Sequence, residues 1–119
     1  MIQRGLTLRS NHQPRHIFVV LNDPTQNAGR ILLVNFTTRR VELNQREEIF
    51  TGLDYSLLRH ESVIAFSKAG DAAAEKLQRA IDNGDFTILP QVPEQTLERI
   101  IAAARTSRHL SAARKALLD

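Results

Sequence analysis

The chain contains no cysteine and no tryptophan, and aromatic side chains of any kind are few. Without cysteine there are no disulfides and no zinc or iron–sulfur sites built on thiolates. Aromatic residues make up 5% of the 119 residues, so the stacked platforms of single-strand binding proteins are poorly supplied. No apolar run approaches the roughly 18 residues of a membrane-spanning helix, and the N-terminus lacks the apolar core of a signal peptide. We therefore expect a cytoplasmic protein with no membrane partner.

Basic residues slightly outnumber acidic ones, with 16 Lys and Arg against 13 Asp and Glu, for a formal net charge of +3. Arginine greatly outnumbers lysine. The planar guanidinium group forms paired hydrogen bonds with phosphates and carboxylates. The composition is therefore compatible with a nucleic acid or an acidic protein as partner, although a basic surface without a dedicated partner has the same composition.

Two runs rich in β-branched and aromatic residues, 15–21 and 31–38, flank a segment dense in turn-forming residues, 22–30. This pattern predicts an antiparallel hairpin with both faces covered, because neither run alternates cleanly between apolar and polar residues. The start of the first strand lies beside the end of the second in such a hairpin. We therefore expect the polar side chains at these two ends to converge. They are Arg15 and His16 on the first strand, and Asn35, Thr37, Thr38, Arg39 and Arg40 on the second.

Further β-strands are predicted from short apolar runs bounded by polar or turn-forming residues. These runs are residues 2–9, 47–53, 62–67 and 86–89. Residues 39–44 fit either a loop or an edge strand, since charged side chains on an edge discourage pairing with other chains. The first half of the chain is thus predicted to be rich in β-structure.

Composition changes at Gly70, after which alanine and other helix-forming residues dominate. Residues 71–83 predict a helix with Asp71 as its N-cap and Gly84 just beyond its end. Two more helices are predicted, at about 93–105 and 110–118, the first starting at Pro93, where proline is tolerated. We expect one domain, 1–119, of mainly β or α+β class, with a β core at about 1–69 plus strand 86–89.

Three segments of this pattern resemble the PemK/MazF-type toxins, which are small barrel ribonucleases of toxin–antitoxin pairs. Residues 15–21 look like the family's arginine-led Val-Val-Leu strand, residues 31–38 like its strand ending in Thr-Thr, and residues 59–65 like a later strand. The last strand and the helix after Pro93 are similar to the family's closing elements. His16 stands where the family has proline, and helix 71–83 is an insertion. A second alignment register makes Arg30, rather than Arg15, the functional arginine.

The resemblance implies a small SH3-like antiparallel barrel with an inserted helix and C-terminal helices. It implies an endoribonuclease that needs no metal and no cofactor, inhibits growth by cleaving RNA, forms a homodimer and is neutralised by an antitoxin protein. Cleavage by the ribose 2′-hydroxyl requires a base, a proton donor and positive charge beside the phosphate. The implied catalytic residues are Arg15, Thr37, His60 and His16. The implied RNA contacts are Asn35, Thr38, Arg39, Arg40 and Arg30.

Other interpretations of the same residues stay open. The chain fits a non-catalytic small-barrel module that binds a protein or a nucleic acid, or an accessory protein of a phage or plasmid. An arginine at a strand start is commonly a solvated end, and paired threonines commonly reflect β-propensity. A basic C-terminal face either follows an RNA backbone or is simply solvated. Its members are Arg99, Arg105, Arg108, His109, Arg114 and Lys115.

Overall fold

The fold is a six-stranded antiparallel sheet with helices packed on it. The computed structural model describes residues 1–40 and 47–119. The strands are β1 (Thr7–Ser10), β2 (Ile17–Val20), β3 (Arg30–Thr38), β4 (Ser62–Ile64), β5 (Gly70–Ala73) and β6 (Phe86–Leu89). The helices are α1 (Ala74–Asp82), α2 (Glu94–Thr106) and α3 (Ala112–Lys115). Short 3-10 turns occupy Pro24–Gln26, Phe66–Lys68 and Ala116–Leu118.

The central strand is β3, and every strand pairing is antiparallel. The order is β4-β3-β2-β1-β6, and β5 pairs with the first half of β3 while β4 pairs with its second half. Leu33 pairs with Val20 of β2 on one edge of β3 and with Gly70 of β5 on the other edge. Strand β4 also lies on the edge opposite β2, so β5 and β4 share one edge of β3. Within the described ranges the sheet is open. The α+β class is thus confirmed, while the closed SH3-like barrel stays a prediction.

The predicted hairpin is confirmed as β2 and β3. Phe18 lies opposite Asn35, and Val20 lies opposite Leu33. The buried Asn22 closes the connection, because its amide donates to the Arg30 carbonyl at 3.0 Å and its Oδ1 accepts from the Leu32 backbone N–H at 2.7 Å. Local side-chain hydrogen bonds therefore fix the connection that sets the hairpin register.

Both faces of the sheet are covered, as the hairpin sequence predicts. Alternate residues of β3 point to opposite faces, and the buried apolar residues fall into two clusters accordingly. One cluster contains Leu32 and packs against α2 through Leu97 and Ile100. The other contains Ile31 and packs against α1 through Leu77. The sheet is therefore a middle layer between α1 on one face and α2 on the other.

The C-terminal elements are confirmed near their predicted positions, namely β6, α2 and the final helical turns. Gly84, just after α1, has a φ of +85°, a conformation that glycine adopts without steric cost. No helix in the described ranges is long and apolar enough to cross a bilayer.

Other boundaries differ from the predictions. Helix α1 begins at Ala74, because residues 70–73 pair with β3 as β5, so Asp71 is not an N-cap. Residues 47–53 contribute only an isolated bridge between Phe50 and Ser62 instead of a strand. Strand β1 covers only the end of predicted strand 2–9, and β4 ends at Ile64. Residues 39–44 were predicted to form a loop or an edge strand, and of these, 41–44 lie outside the residues that the structure describes.

Candidate functional site

A cleft of about 410 Å³ opens where β2 begins and β3 ends. The hairpin supplies five of the polar side chains predicted to converge there. They are His16, Asn35, Thr37, Thr38 and Arg40. Antiparallel pairing explains the convergence, because it places the residue before β2 beside the last residues of β3.

Other segments complete the wall of this cleft, which we call the first cleft. Strand β4 lies beside the end of β3, with Val63 opposite Thr37. The 3-10 turn after β4 adds Ser67 and Lys68, and the connection between α2 and α3 adds His109. The cleft therefore combines two imidazoles, hydroxyl groups and basic side chains.

The polar side chains of the first cleft differ in exposure. Asn35 is buried, and its amide donates to the Phe36 carbonyl at 3.1 Å. Thr37 is half-buried, whereas Thr38 and Lys68 are exposed. The hydroxyl and ammonium groups are thus placed to meet a ligand from solvent, while Asn35 belongs to the floor.

The remaining predicted site residues lie outside the first cleft. Arg15 is exposed just before His16, and His60 is exposed two residues before β4, but neither lines the cleft. Arg39 pairs with Glu61 at 2.9 Å, and its Nε is buried without a hydrogen-bond partner among the residues that the structure describes. Arg30 begins β3, eight residue steps or about 26 Å of strand from Thr38.

Arg30 belongs to a surface ion-pair group at the opposite end of β3. Its guanidinium lies 2.6 Å from Asp71 of β5, and Arg114 of α3 lies 2.8 Å from the other oxygen of the same carboxylate. These hydrogen bonds, first from Arg114 and then from Arg30, hold the pKa of Asp71 below its ordinary value of 3.8. Arg30 thus has a structural partner, which accounts for its position without RNA.

A larger cleft of about 730 Å³, the second cleft, adjoins the first. The two share Glu47, Phe66 and His109 in their walls. The second cleft runs along α2, and its wall includes Ala102, Ala103, Thr106, Ser107 and Arg108. The two clefts are therefore neighbours that meet at these three side chains.

Arg99 of α2 also lines the second cleft, but its hydrogen bonds join α2 to residues 48–54, the segment before β4. It lies 2.6 Å from Glu48, also pairs with Asp54, donates to the Ile49 carbonyl and sits 4.7 Å from the Phe50 ring centroid. The hydrogen bond to Glu48 is the main reason why the pKa of Arg99 is raised. Arg99 is therefore a packing and ion-pair residue of this wall.

Several members of the predicted basic C-terminal face have acidic partners within the chain. Arg105 pairs with Asp119 at 2.7 Å, and Arg114 and Arg99 pair as described above. Arg108 and His109 instead line the clefts. Three of the six members of the basic face are thus paired with acidic side chains, while Arg108 and His109 lie at the clefts.

Among the residues that the structure describes, no group of three His, Cys, Asp or Glu side chains is arranged to hold a metal ion. The cleft residues that were not predicted as site residues include Lys68, His109 and Glu47. Lys68 and Glu47 are seen in the sequence only at the boundaries of predicted strands, and His109 only within the basic face. No local sequence pattern connects these residues, because it is the fold that brings their distant segments together at the clefts.

No protein-family model matches this chain, and no curated protein matches it. The resemblance to the PemK/MazF-type toxins therefore stays a prediction from the three segments quoted above.

Proposed function

We propose that this protein is a metal-independent endoribonuclease of the toxin kind, acting at the first cleft. The observation that carries the proposal is the meeting of His16 and His109 with Lys68 in one cleft beside the paired threonines. These groups match the requirements for cleaving RNA through its own 2′-hydroxyl.

The chemistry needs one proton acceptor, one proton donor and cationic stabilisation of the phosphate. One imidazole takes the proton of the ribose 2′-hydroxyl as its oxygen attacks phosphorus. The other imidazole, in its protonated form, donates a proton to the departing 5′-oxygen. The products are a 2′,3′-cyclic phosphate and a 5′-hydroxyl, and no oxidant, reductant or second substrate is consumed.

The other side chains of the first cleft have supporting roles in this proposal. Lys68 and Arg40 stabilise the extra negative charge on the phosphate, and Thr37 and Thr38 donate hydrogen bonds to its oxygens. His109 takes the proton-transfer role that the sequence assigned to His60. Arg15, exposed beside His16, keeps its predicted role as a phosphate contact at the rim.

The biological setting is part of the same proposal. The chain is a divergent relative of the PemK/MazF-type toxins, its sheet an open form of their SH3-like barrel, and it acts on cytoplasmic RNA. An antitoxin protein and a second copy of the chain are its proposed partners. The sequence segments 15–21, 31–38 and 59–65 support this setting.

The decisive experiment measures cleavage of a single-stranded RNA with EDTA present. We expect product strands ending in 2′,3′-cyclic phosphate. His16→Ala and His109→Ala should each slow cleavage about 10²- to 10⁴-fold, as loss of a general acid or base does. The matched control is His12→Ala, since His12 is an exposed histidine hydrogen-bonded to Asp85 away from both clefts.

Three outcomes of this experiment would count against the proposal. They are cleavage that EDTA abolishes, equal losses in the His12 and His16 variants, and the absence of any cleavage by the wild type. RNA binding that weakens with salt but leads to no cleavage would support the alternative, a non-catalytic binding module. Expression in a bacterial host gives a second readout, because the wild type should slow growth and the His16 variant should not.

A further inference from the structure

Strand β6 lies at one end of the sheet, and only one of its two edges is paired. Its neighbour β1 pairs with it from Thr7 opposite Leu89 to Ser10 opposite Phe86. No strand in the described ranges pairs with the other edge. A free strand edge presents backbone N–H and C=O groups that pair readily with another strand. The outer edge of β6 is therefore a candidate interaction surface.

The backbone hydrogen bonds identify which groups lie on that edge. In an antiparallel pair, every second residue directs its N–H and C=O toward the partner strand. Asn11 and Asp85 continue the β1–β6 register by one pair, and the Asn11 N–H donates to the Asp85 carbonyl at 2.9 Å. The odd-numbered residues of β6 therefore face β1. By the same alternation, the N–H and C=O groups of Phe86 and Ile88 face outward.

The backbone groups at both ends of this outer edge are already used. Before β6, the Gly84 N–H donates to the Ile81 carbonyl at 3.0 Å, and the Gly84 carbonyl accepts from the Asn11 side chain at 2.9 Å. After β6, Pro90 has no N–H, and its carbonyl accepts from the Tyr55 hydroxyl at 2.6 Å. The free part of the edge is therefore short, with two N–H donors and two C=O acceptors.

The side chains of β6 suit burial in an interface. The strand has the sequence Phe-Thr-Ile-Leu and carries no charge. Ile88 is 56% exposed, and Phe86 is half-buried against Phe18, with 5.8 Å between the ring centroids. Edge strands that stay unpaired are commonly protected by charged side chains, as β5 is by Asp71. Strand β6 lacks that protection.

Two copies of β6 match each other when they run antiparallel about a two-fold axis at Thr87. Phe86 of one copy then lies opposite Ile88 of the other, and these two residues exchange both of their backbone hydrogen bonds. The second such pair follows by symmetry, so every free donor and acceptor of both edges is used. Because residues 86 and 88 share one face of the strand, each exposed isoleucine packs beside a phenylalanine of the other copy.

Charge and length both favour a second copy over a foreign strand. In this arrangement Thr87 lies opposite its own counterpart, and Asp85, which is hydrogen-bonded to His12 at 2.8 Å, lies opposite an uncharged leucine. No like charges therefore meet between the two strands. A longer foreign strand would gain no further bonds, because the backbone groups of Gly84 and Pro90 are already used.

We propose that two copies of this chain associate through the outer edges of β6 and form one continuous antiparallel sheet. The proposed function names a second copy of the chain as a partner, and this pairing assigns the surface through which that copy binds. The pairing does not depend on the RNA chemistry of the clefts, because no residue of β6 lines either of them.

Sedimentation velocity over a series of protein concentrations measures the association. We expect the wild type to form a dimer, and Ile88→Lys to raise the dissociation constant at least about 10-fold, because a charged side chain on the edge opposes pairing. The matched control is Leu53→Lys, at a leucine that is 99% exposed and lies outside β6, and it should dimerise as the wild type does. Circular dichroism checks that both variants are folded.

Opposite charges at position 87 test the two-fold register directly. Thr87 is exposed, so Thr87→Lys and Thr87→Glu should both fold. Each variant alone should dimerise more weakly than the wild type, because the axis places two like charges opposite each other. An equimolar mixture of the two variants should form a heterodimer, because opposite charges then meet at the axis.

The outcomes separate this pairing from the proposed function. A wild type that stays monomeric at every concentration overturns the pairing and leaves the edge to a strand of another protein. A dimer that tolerates both Ile88→Lys and Thr87→Lys also overturns it, as do position-87 variants that form no heterodimer when mixed. Dimerisation without RNA cleavage overturns the proposed function alone, and cleavage by a monomeric wild type overturns the β6 pairing alone.

Discussion

At the scale of single residues, Thr7 links three parts of the chain through one buried hydroxyl. Its Oγ1 donates to the Gly5 carbonyl at 2.9 Å and accepts from the Val92 backbone N–H at 3.1 Å. The side chain is fully buried in β1. The hydroxyl therefore joins β1 to the turn before it and to the segment that leads from β6 into α2.

Thr7→Val should lower the free energy of unfolding by about 1 to 3 kcal/mol, because it leaves a buried backbone N–H without a partner while keeping the side-chain shape. Urea denaturation monitored by circular dichroism measures the change. The control is Thr87→Val on β6, where an exposed hydroxyl bonds to Asn11 at 2.8 Å and solvent can replace the lost bond. Equal changes in the free energy of unfolding for the two substitutions would contradict the larger contribution assigned to the buried hydrogen bond of Thr7.

The predicted site residues show what local sequence can reveal at this scale. Thr37 and His16 were predicted to lie together because one is near the end of β3 and the other just before β2. The pairing of two strands in a hairpin is a local property that the sequence reveals. Lys68 and His109 were missed as site residues, because each is brought to the cleft by contacts between distant segments. Arg30 was one of two possible functional arginines, and its bond to Asp71 shows a structural partner that local sequence does not reveal.

At the scale of elements, Asp71 connects β5 with both β3 and α3. Its two carboxylate oxygens bind Arg30 at the start of β3 and Arg114 in α3. The lowered pKa of Asp71 means that the folded state favours the charged form. The carboxylate therefore adds stability at any pH above its ordinary pKa of 3.8, and this stability is lost as the pH falls through the lower pKa of the folded state.

Asp71→Asn should destabilise the protein at pH 7 by about 1 kcal/mol or less, the range expected for partly exposed ion pairs. The difference from wild type should shrink as the pH falls below 3.8, since protonation removes the same charge from the wild type. Urea denaturation at pH 7 and at a series of acidic pH values measures both effects. Asp82→Asn, at an exposed end of α1, is the control. A difference that grows toward acidic pH would contradict the sign of the shift.

The same segment explains one error of the element predictions. The sequence Gly-Asp-Ala-Ala has little β-propensity, and an Asp before alanines is a common helix start, so the helix was predicted from residue 71. Backbone pairing of residues 70–73 with the first half of β3 overrides that local preference. Helix α2 was predicted well because Leu97, Ile100 and Ala104 repeat with helical spacing and occupy one buried face.

At the scale of the whole molecule, the distribution of charge matters more than its sum. The net charge is +3, yet several arginines have acidic partners on the protein surface, including Arg4 with Glu94 at 2.7 Å. Lys68 and Arg108 lie in the cleft walls instead. Lys68 and Arg108 thus place positive charge in the cleft walls, where an anionic strand would meet it.

Lys68→Gln should reduce the dependence of RNA binding on salt. Each phosphate contact to a single strand contributes about 0.7 to the slope of log K against log salt, so the slope should become shallower by about that amount. Titration of a 2′-O-methyl oligouridylate at several salt concentrations measures it. Lys76→Gln, at an exposed position of α1 outside both clefts, should leave the slope unchanged. An unchanged slope for Lys68→Gln would remove Lys68 from the RNA path.

The sequence by itself determined the hairpin, the last strand, the C-terminal helices and the convergence of His16 with the end of β3. These features depend on residue periodicity, turn-forming residues and antiparallel pairing between neighbours in the chain. Only the tertiary structure decided that Asp71 joins a strand, that Arg30 lies away from the first cleft, and that Lys68, His109 and Glu47 complete the cleft walls. Those outcomes depend on which distant segments pack together, and packing energy is shared among residues that no local pattern connects.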